Sequence, residues 1–291
     1  MQDKLKMSGG TYLLDINYIN LKFEVGDKII EVGKGKPYRL LAIEGISSAE
    51  YDLSIRQNIS ADGSKITRKS VKSRPVFIVA EYVGMNKKAE RDNIVRYFNL
   101  HESGKLTVNN NGISRLLNFD IEKFNASLEN MYLPLKFKVD IYCSQPYFTD
   151  ISISSEEMVT WIGGLTFPLS LPTQFAMAGE KIINIINNGD VATPITLEIS
   201  GTATNPKITN TLTGEYIKVN RTLVDGDTLI ITTEFGNKRV EQNGINVFNY
   251  IDLESTFFSL NAGDNILELT TDDINDNATI RINYKNRYLG V

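Results

Sequence analysis

Cysteine, histidine and tryptophan each occur once among the 291 residues, as Cys143, His101 and Trp161. A lone cysteine rules out an intrachain disulfide, so the chain is not a disulfide-stapled secreted scaffold and reads as one folded in a reducing compartment. One thiol and one imidazole are too few for a structural zinc site of the Cys/His type. A Ser-His-Asp triad would have to use His101, which follows an expected helix, where capping or surface exposure is the commoner role. No stretch approaches the roughly 18 apolar residues of a membrane span, and the opening residues lack the apolar core of a signal peptide. Charge of one sign is also scarce, because 31 Lys/Arg stand against 35 Asp/Glu. A net charge of −4 is too mild to point to nucleic acid.

The familiar signatures of chemistry are missing too. Neither Gly9-Gly10 nor Gly33-Lys34-Gly35 has the strand-then-helix setting of a phosphate loop. Thirty-five acids offer many carboxylate pairs for glycoside hydrolysis, and no motif selects one. Asp272, Asp273 and Asp276 could offer oxygens to calcium, yet they lack EF-hand spacing and its closing Glu, so a solvated turn is the expectation. The sequence therefore predicts no catalytic, cofactor-binding or metal-binding residue and no enzyme activity.

What is present is enough apolar residue for packed cores: 42% hydrophobic against 23% charged. Residues 1–150 carry 22 Lys/Arg and 18 Asp/Glu, whereas 151–291 carry 9 and 17. That change of sign predicts two domains with different surroundings. Short β-branched and aromatic runs at 12–16, 21–25, 76–82, 196–200 and 229–233 read as strands separated by Gly, Asn and Asp turns. Gly214, Gly226, Gly236, Gly244 and Gly263 punctuate the second half at sandwich-like spacing. One helix is expected from an Asn86 cap, with Ile94, Val95 and Phe98 on its apolar face and Arg91 interrupting it. A weaker second helix is predicted over 121–130. The stretch 54–75 reads as a long hairpin arm with its tip near Asp62-Gly63. Lys65, Arg68, Lys69, Lys72 and Arg74 fall there with no acid from Ser64 to Pro75, which marks them as partner-contact residues unless the arm is only a solvated loop. Without interleaved aromatics, the run does not suggest sequence-specific nucleic-acid binding.

The domain boundary is expected near Pro146. Tyr147, Trp161 and Phe167 around it are assigned to a domain seam, against the rival reading that Trp161 stacks on a sugar. The closing segment 279–284 alternates so that Ile280, Ile282 and Tyr284 face a core.

Several patterns together resemble the siphophage distal tail family, also called siphovirus tail component proteins. They are Cys143-Ser-Gln-Pro-Tyr-Phe148, the turn Asn188-Gly-Asp190 with Pro194, Gly201-Thr-Ala-Thr-Asn-Pro206, Ser259-Leu-Asn-Ala-Gly-Asp-Asn265 and Arg287-Tyr-Leu-Gly-Val291. Looser matches are Asp62-Gly63, Arg74-Pro75 and Asn109-Asn-Asn-Gly112. The resemblance implies a mainly β chain. Residues 1–145 would form a tail-tube-like domain with one packed helix, completed by 280–291, and 150–279 a galectin-like sandwich. It further implies a hexameric ring at the virion tail tip, folded and assembled in the host cytoplasm, with no cofactor and no membrane. Partners would be the tail tube protein, the tape measure protein, the tail-associated hub protein and sometimes a receptor-binding protein. The alternative function is a carbohydrate-binding adhesion module of a tail or tail-like particle.

Overall fold

The computed structural model describes residues 16–57, 62–98, 101–127, 130, 132–159, 161–162, 177–178, 182–273 and 275–291. The chain divides into two compact units. One runs to Ile151 and also includes Tyr288–Val291; the other is Ser152–Arg287. Residues 12–15 of the first expected strand lie outside the described residues.

The first unit is built from β1 (Ile19–Val25), β2 (Lys28–Val32), β3 (Tyr38–Glu44), β4 (Tyr51–Gln57), β5 (Ser64–Val71), β6 (Arg74–Tyr82), α1 (Lys87–Tyr97), β7 (Ser103–Asn110), β8 (Ile113–Ser127), β9 (Leu135–Cys143) and β10 (Phe148–Thr149). Period-two patterning sets its core. β1 buries Ile19, Leu21, Phe23 and Val25 and turns Asn20, Lys22 and Glu24 outward. β9 does the same with Leu135, Phe137, Val139 and Ile141.

The main sheet runs β8-β7-β1-β2-β3-β6-β9, and a second pairing of β8 with β9 closes it into a barrel. Closure depends on the 15-residue length of β8. Its first half pairs with β7 from Ile113 to Asp120, and its second half with β9 as far as Ser127. A register shift between Ile121 and Lys123 redirects the strand from one partner to the other. All pairings are antiparallel except β2 with β3, which meet in parallel at Val32 and Tyr38. Closure removes the free edges that an open sheet would offer. β10 and a short strand, Arg287–Tyr288, extend the sheet beyond the start of β8.

The single α-helix among the described residues packs on this barrel through Ile94, Tyr97 and Phe98, which recur at i, i+3 and i+4. Phe98 meets Phe23 edge-on at 5.4 Å and stacks on Phe124 at 5.1 Å. The Tyr97 hydroxyl donates to the Phe23 carbonyl at 2.8 Å, and burial pushes its pKa up to about 12. Two expectations are corrected here. Val95 is exposed, and Tyr97 takes its place on the buried face. The predicted second helix over 121–130 is instead the end of β8, because pairing with β9 overrides local propensity. Asn86 occupies the N-cap position through its backbone, accepting from Glu90 N at 2.9 Å, with no side-chain cap.

The second unit contains β11 (Ser154–Val159), β12 (Trp161–Ile162), β13 (Met177–Ala178), β14 (Ile182–Asn187), β15 (Ile195–Gly201), β16 (Ala203–Thr204), β17 (Lys207–Asn210), β18 (Tyr216–Lys218), β19 (Thr222–Leu223), β20 (Thr228–Thr232), β21 (Arg239–Gln242), β22 (Ile245–Asn246), β23 (Gly263–Thr270) and β24 (Ala278–Tyr284). Sheets of order β11-β24-β15-β20-β21-β22 and β14-β23-β17-β18 share one apolar core, the layout of a sandwich. β24 pairs on both sides, with β15 and β11, and buries Ile280 and Ile282. At the β21–β22 hairpin, Asn243 and Gly244 take φ of 51° and 77°, the type I′ geometry that Asn-Gly favours.

The outer edge of β18 is not bare. Asp252 N donates to Lys218 O at 2.9 Å and Thr256 N to Tyr216 O at 2.8 Å, so residues 251–256 run beside it. Between those bonds the backbone bulges into a turn that leaves Leu253 entirely exposed, at 101%.

Candidate assembly surface

The arm predicted from 54–75 is present as an isolated antiparallel hairpin of β4 and β5. Neither strand pairs with any other among the described residues. Residues 58–61, at its far end, lie outside the described set. Two strands alone are marginally stable in water, so an arm of this kind needs something to pack against.

Its register sorts the side chains into two faces. Tyr51, Leu53 and Ile55 share one face with Val71, Lys69 and Ile66 across the ladder. Asp52, Ser54 and Arg56 share the other with Ser70, Arg68 and Lys65. A register shift between Ser54 and Ile55 leaves Thr67 as the extra residue, and its hydroxyl donates to Ser54 O at 3.0 Å. The first face is apolar and unprotected: Tyr51, Leu53, Ile55 and Ile66 are 42–57% exposed. Single exposed Leu or Ile residues are ordinary, but four large ones on one sheet face mark an interaction surface. The Lys69 ammonium lies 4.2 Å from the Tyr51 ring centroid, so one cation sits on the apolar face. Sequence reasoning picked out the cations and missed the apolar face; the alternation of Tyr51, Leu53 and Ile55 was the available signal.

Of the five residues expected to contact a partner, Lys65, Arg68, Lys69 and Lys72 are exposed on the arm or at its base. Arg74 is a correction. It opens β6 inside the barrel wall and is only 4% exposed. Its Nε donates to Pro146 O at 2.7 Å, Nη1 to Gly45 O at 2.7 Å and Ser48 O at 3.0 Å, and Nη2 to Leu289 O at 2.6 Å. Its guanidinium also lies 4.9 Å from the Phe148 ring centroid. With its donors committed inside its own unit, it cannot reach a neighbour.

Arg74 is one part of a clasp around residues 288–291. Arg115 covers the Tyr288 ring at 3.6 Å and donates to Gly290 O. Val291 N donates to Ile46 O at 3.0 Å, and the Tyr288 hydroxyl to Asp150 Oδ1 at 3.0 Å. A Cβ on Gly290 would lie 2.1 Å from Ser47 O, so the strap fits only because that position is glycine. The returning segment is also shorter than 280–291, because β24 lies in the second unit's own sheet and only Tyr288–Val291 joins the first.

The groups that could carry chemistry are engaged structurally. Cys143 is fully buried, and burial pushes its thiol up to about 12, with Arg74 pulling weakly the other way. His101 is exposed just before β7. Asp276 is buried and accepts from Thr204 N at 2.6 Å, Asp272 accepts from Asn205 Nδ2 at 2.7 Å, and Asp273 accepts from Asn275 N at 2.9 Å. These acids each fix a turn and do not converge. Among the described residues no group of three or more His, Cys, Asp or Glu is placed to hold a metal ion. Among the described residues no helix is long and apolar enough to cross a membrane.

Of the three seam residues, Tyr147 is half-buried in the first unit. Trp161 begins β12, which pairs with β13 through Trp161–Ala178. Phe167 lies outside the described residues.

Comparison with known proteins agrees with this architecture. Residues 188–288 match the family model of the siphovirus-type tail component, C-terminal domain. That span holds the Asn188-Gly-Asp190, Gly201–Pro206 and Ser259–Asn265 patterns, so the family resemblance read from them is borne out. No curated protein matches the chain. The Dit (gp 19.1) protein of phage SPP1, described as a paradigm of the hub adsorption apparatus in phages infecting Gram-positive hosts, matches with TM-score 0.67 at 16% identity, over 92% of this chain and 99% of that one. A chain of the phage P2 baseplate in its activated conformation with calcium matches with TM-score 0.51 at 11% identity, over 94% of this chain and 99% of that one. The mainly β fold, a barrel-like first unit followed by a sandwich, is therefore that of phage tail and baseplate hub proteins.

Proposed function

We propose that this chain is a structural subunit of a phage tail tip, a distal tail protein that forms a hexameric ring and joins the tail tube to the host-recognition apparatus. The observation that carries this reading is the likeness to SPP1 Dit along both units, together with the family match in the second. The closed barrel supplies a rigid wall, the sandwich a second module, and the arm a means of reaching a neighbour. A head-to-tail contact of that kind closes into a ring when its rotation is right.

The role is non-catalytic. The proposed partners are other copies of the chain, the tube and tape measure proteins, the tail-associated hub protein and, in some particles, a receptor-binding protein. The protein folds in the host cytoplasm and resides at the virion tail tip. Within the ring, Lys65, Arg68, Lys69 and Lys72 contact an acidic surface of the next copy. Exposed ion pairs contribute about 0–1 kcal/mol each, so several must act together with apolar contact to order the arm.

Mass measurement in solution and low-resolution imaging of assembled tails test the proposal. A six-fold ring at the tip is the expected result. A stable dimer or trimer in the particle overturns it, as does cell-wall digestion by the isolated protein. Glycan binding by the second unit without any ring would favour the adhesion-module alternative.

A further inference from the structure

Asparagine followed by glycine is the dipeptide most prone to losing its side-chain amide, because glycine has no Cβ to shield its own backbone nitrogen. The chain has three such steps, Asn111-Gly112, Asn188-Gly189 and Asn243-Gly244. The structure restrains them very differently.

Asn188 and Asn243 are tied down. Gly189 N, the attacking atom at its site, already donates to Asn187 Oδ1 at 2.9 Å, and the next amide, Asp190 N, donates to Arg287 O at 2.8 Å. A Cβ on Gly189 would lie 2.5 Å from Arg287 O, so that backbone has little room to rotate. Asn243 is held by its side chain, whose Oδ1 accepts from Thr228 N at 2.9 Å and whose Nδ2 donates to Asp227 Oδ1 at 2.7 Å.

Asn111 lacks such ties. It and Gly112 are the two loop residues of the β7–β8 hairpin, with Asn110 paired to Ile113 beneath them. Both are exposed, at φ of 49° and 90°, as in a type I′ turn. Among the described residues the Asn111 side chain has no hydrogen-bond partner. The backbone is held only by long bonds, from Asn111 N to Tyr18 O at 3.3 Å and from Gly112 N to Asn109 Oδ1 at 3.4 Å. A Cβ on Gly112 would meet nothing within 4 Å. Ring closure requires the turn to leave its I′ geometry, so each site reacts as fast as its turn opens. A hairpin tip with few contacts opens most easily.

We propose that Asn111 is the chain's site of spontaneous deamidation. The Gly112 nitrogen gives its proton to solvent base and bonds to Asn111 Cγ, while the Cγ–Nδ2 bond breaks and ammonia leaves. Water then opens the resulting succinimide at either carbonyl. Breaking the new Cγ–N bond gives aspartate; breaking the original peptide bond gives isoaspartate. One water enters, one ammonia leaves, and nothing is oxidised or reduced. Isoaspartate adds a methylene to the backbone of a two-residue loop, so the Asn110–Ile113 pair at the end of the ladder should come apart.

The test incubates the folded full chain at neutral and mildly alkaline pH and maps its peptides by mass spectrometry. The peptide carrying Asn111 should gain the amide-to-acid mass difference first, and faster at the higher pH. An isoaspartyl methyltransferase should label the same peptide. Asn188 and Asn243 should convert at least about tenfold more slowly, since their ties must break before the ring can close. In urea all three should convert at similar rates, because the dipeptide is the same. Asp227→Ala removes the acceptor for Asn243 Nδ2, so it should speed conversion at Asn243 and leave Asn111 unchanged. Equal rates at the three sites in the folded chain overturn the assignment, as does Asn188 or Asn243 leading. An Asn243 rate untouched by Asp227→Ala also counts against it, because the ties would then not be what protects that turn.

Discussion

Replacing Arg74 with alanine is the sharpest probe of the first unit. The side chain is buried and holds four carbonyls, from Gly45, Ser48, Pro146 and Leu289, which lie far apart in sequence. Hydrogen bonds to a charged group contribute about 1.5–3 kcal/mol each. Four of them sum to more than the net effect, because the guanidinium is itself desolvated, and desolvation lowers its pKa. Removing one member of such a buried arrangement typically costs about 3–5 kcal/mol. For a unit of this size each kcal/mol moves the midpoint by about 2–4 °C. The expected shift is roughly 6–20 °C. Because Arg74 and all four acceptors belong to one unit, calorimetry should show only one of two transitions moving. Arg74→Lys should recover part of the loss, since an ammonium is one point donor where the guanidinium is a planar fork. A shift below about 1 kcal/mol, or equal movement of both transitions, would refute the clasp as a stabilising element.

Other outcomes follow from the same geometry. Cys143 should resist alkylation in the native protein and label only as the first unit opens. Because its folded pKa is raised from 9.0 to about 12, its contribution is complete below pH 9 and is lost between pH 9 and 12, which thermal melts across that window will show. Phe98→Ala should destabilise the first unit by about 3–5 kcal/mol, because its ring contacts Phe23, Tyr97, Phe124 and Phe137 at once; urea melts measure this. Reversing Lys65, Arg68 and Lys69 should block ring or tail assembly while circular dichroism and melting of the monomer stay unchanged; normal assembly would reduce the arm to a solvated loop.

Strands were legible where alternation is strict, as in β1 and β24, because a half-buried strand must repeat every second residue. The hairpin arm was legible from its turn signal and its run of cations. Barrel closure was not, since it depends on β8 exchanging β7 for β9 partway along, and no local pattern encodes a change of partner. The same long strand explains the misread helix at 121–130. Arg74 was misassigned because adjacency to Lys69 and Lys72 is a property of the chain, whereas its burial is decided by Gly45, Pro146 and Leu289, all distant in sequence. The apolar face of the arm was readable in principle, but attention to charge hid it. The Asn188-Gly-Asp190 turn, Gly201–Pro206 and Ser259–Asn265 carried much of the family resemblance, and these fall in the span that the family model matches.

The strap at 288–291 imposes an order on biosynthesis. Everything from Ser152 to Arg287 is translated before the residues that fill the clasp around Arg74 exist. Domains otherwise tend to mature as they leave the ribosome, earliest first. Here the sandwich can reach its final state while the barrel still waits with Arg74 short of one acceptor and Tyr288 absent from beneath Arg115. The clasp therefore acts as a completeness check, because a chain interrupted anywhere in the sandwich leaves a barrel that is less stable and more readily degraded. In the ring proposed above, that loss would remove defective subunits before they are incorporated.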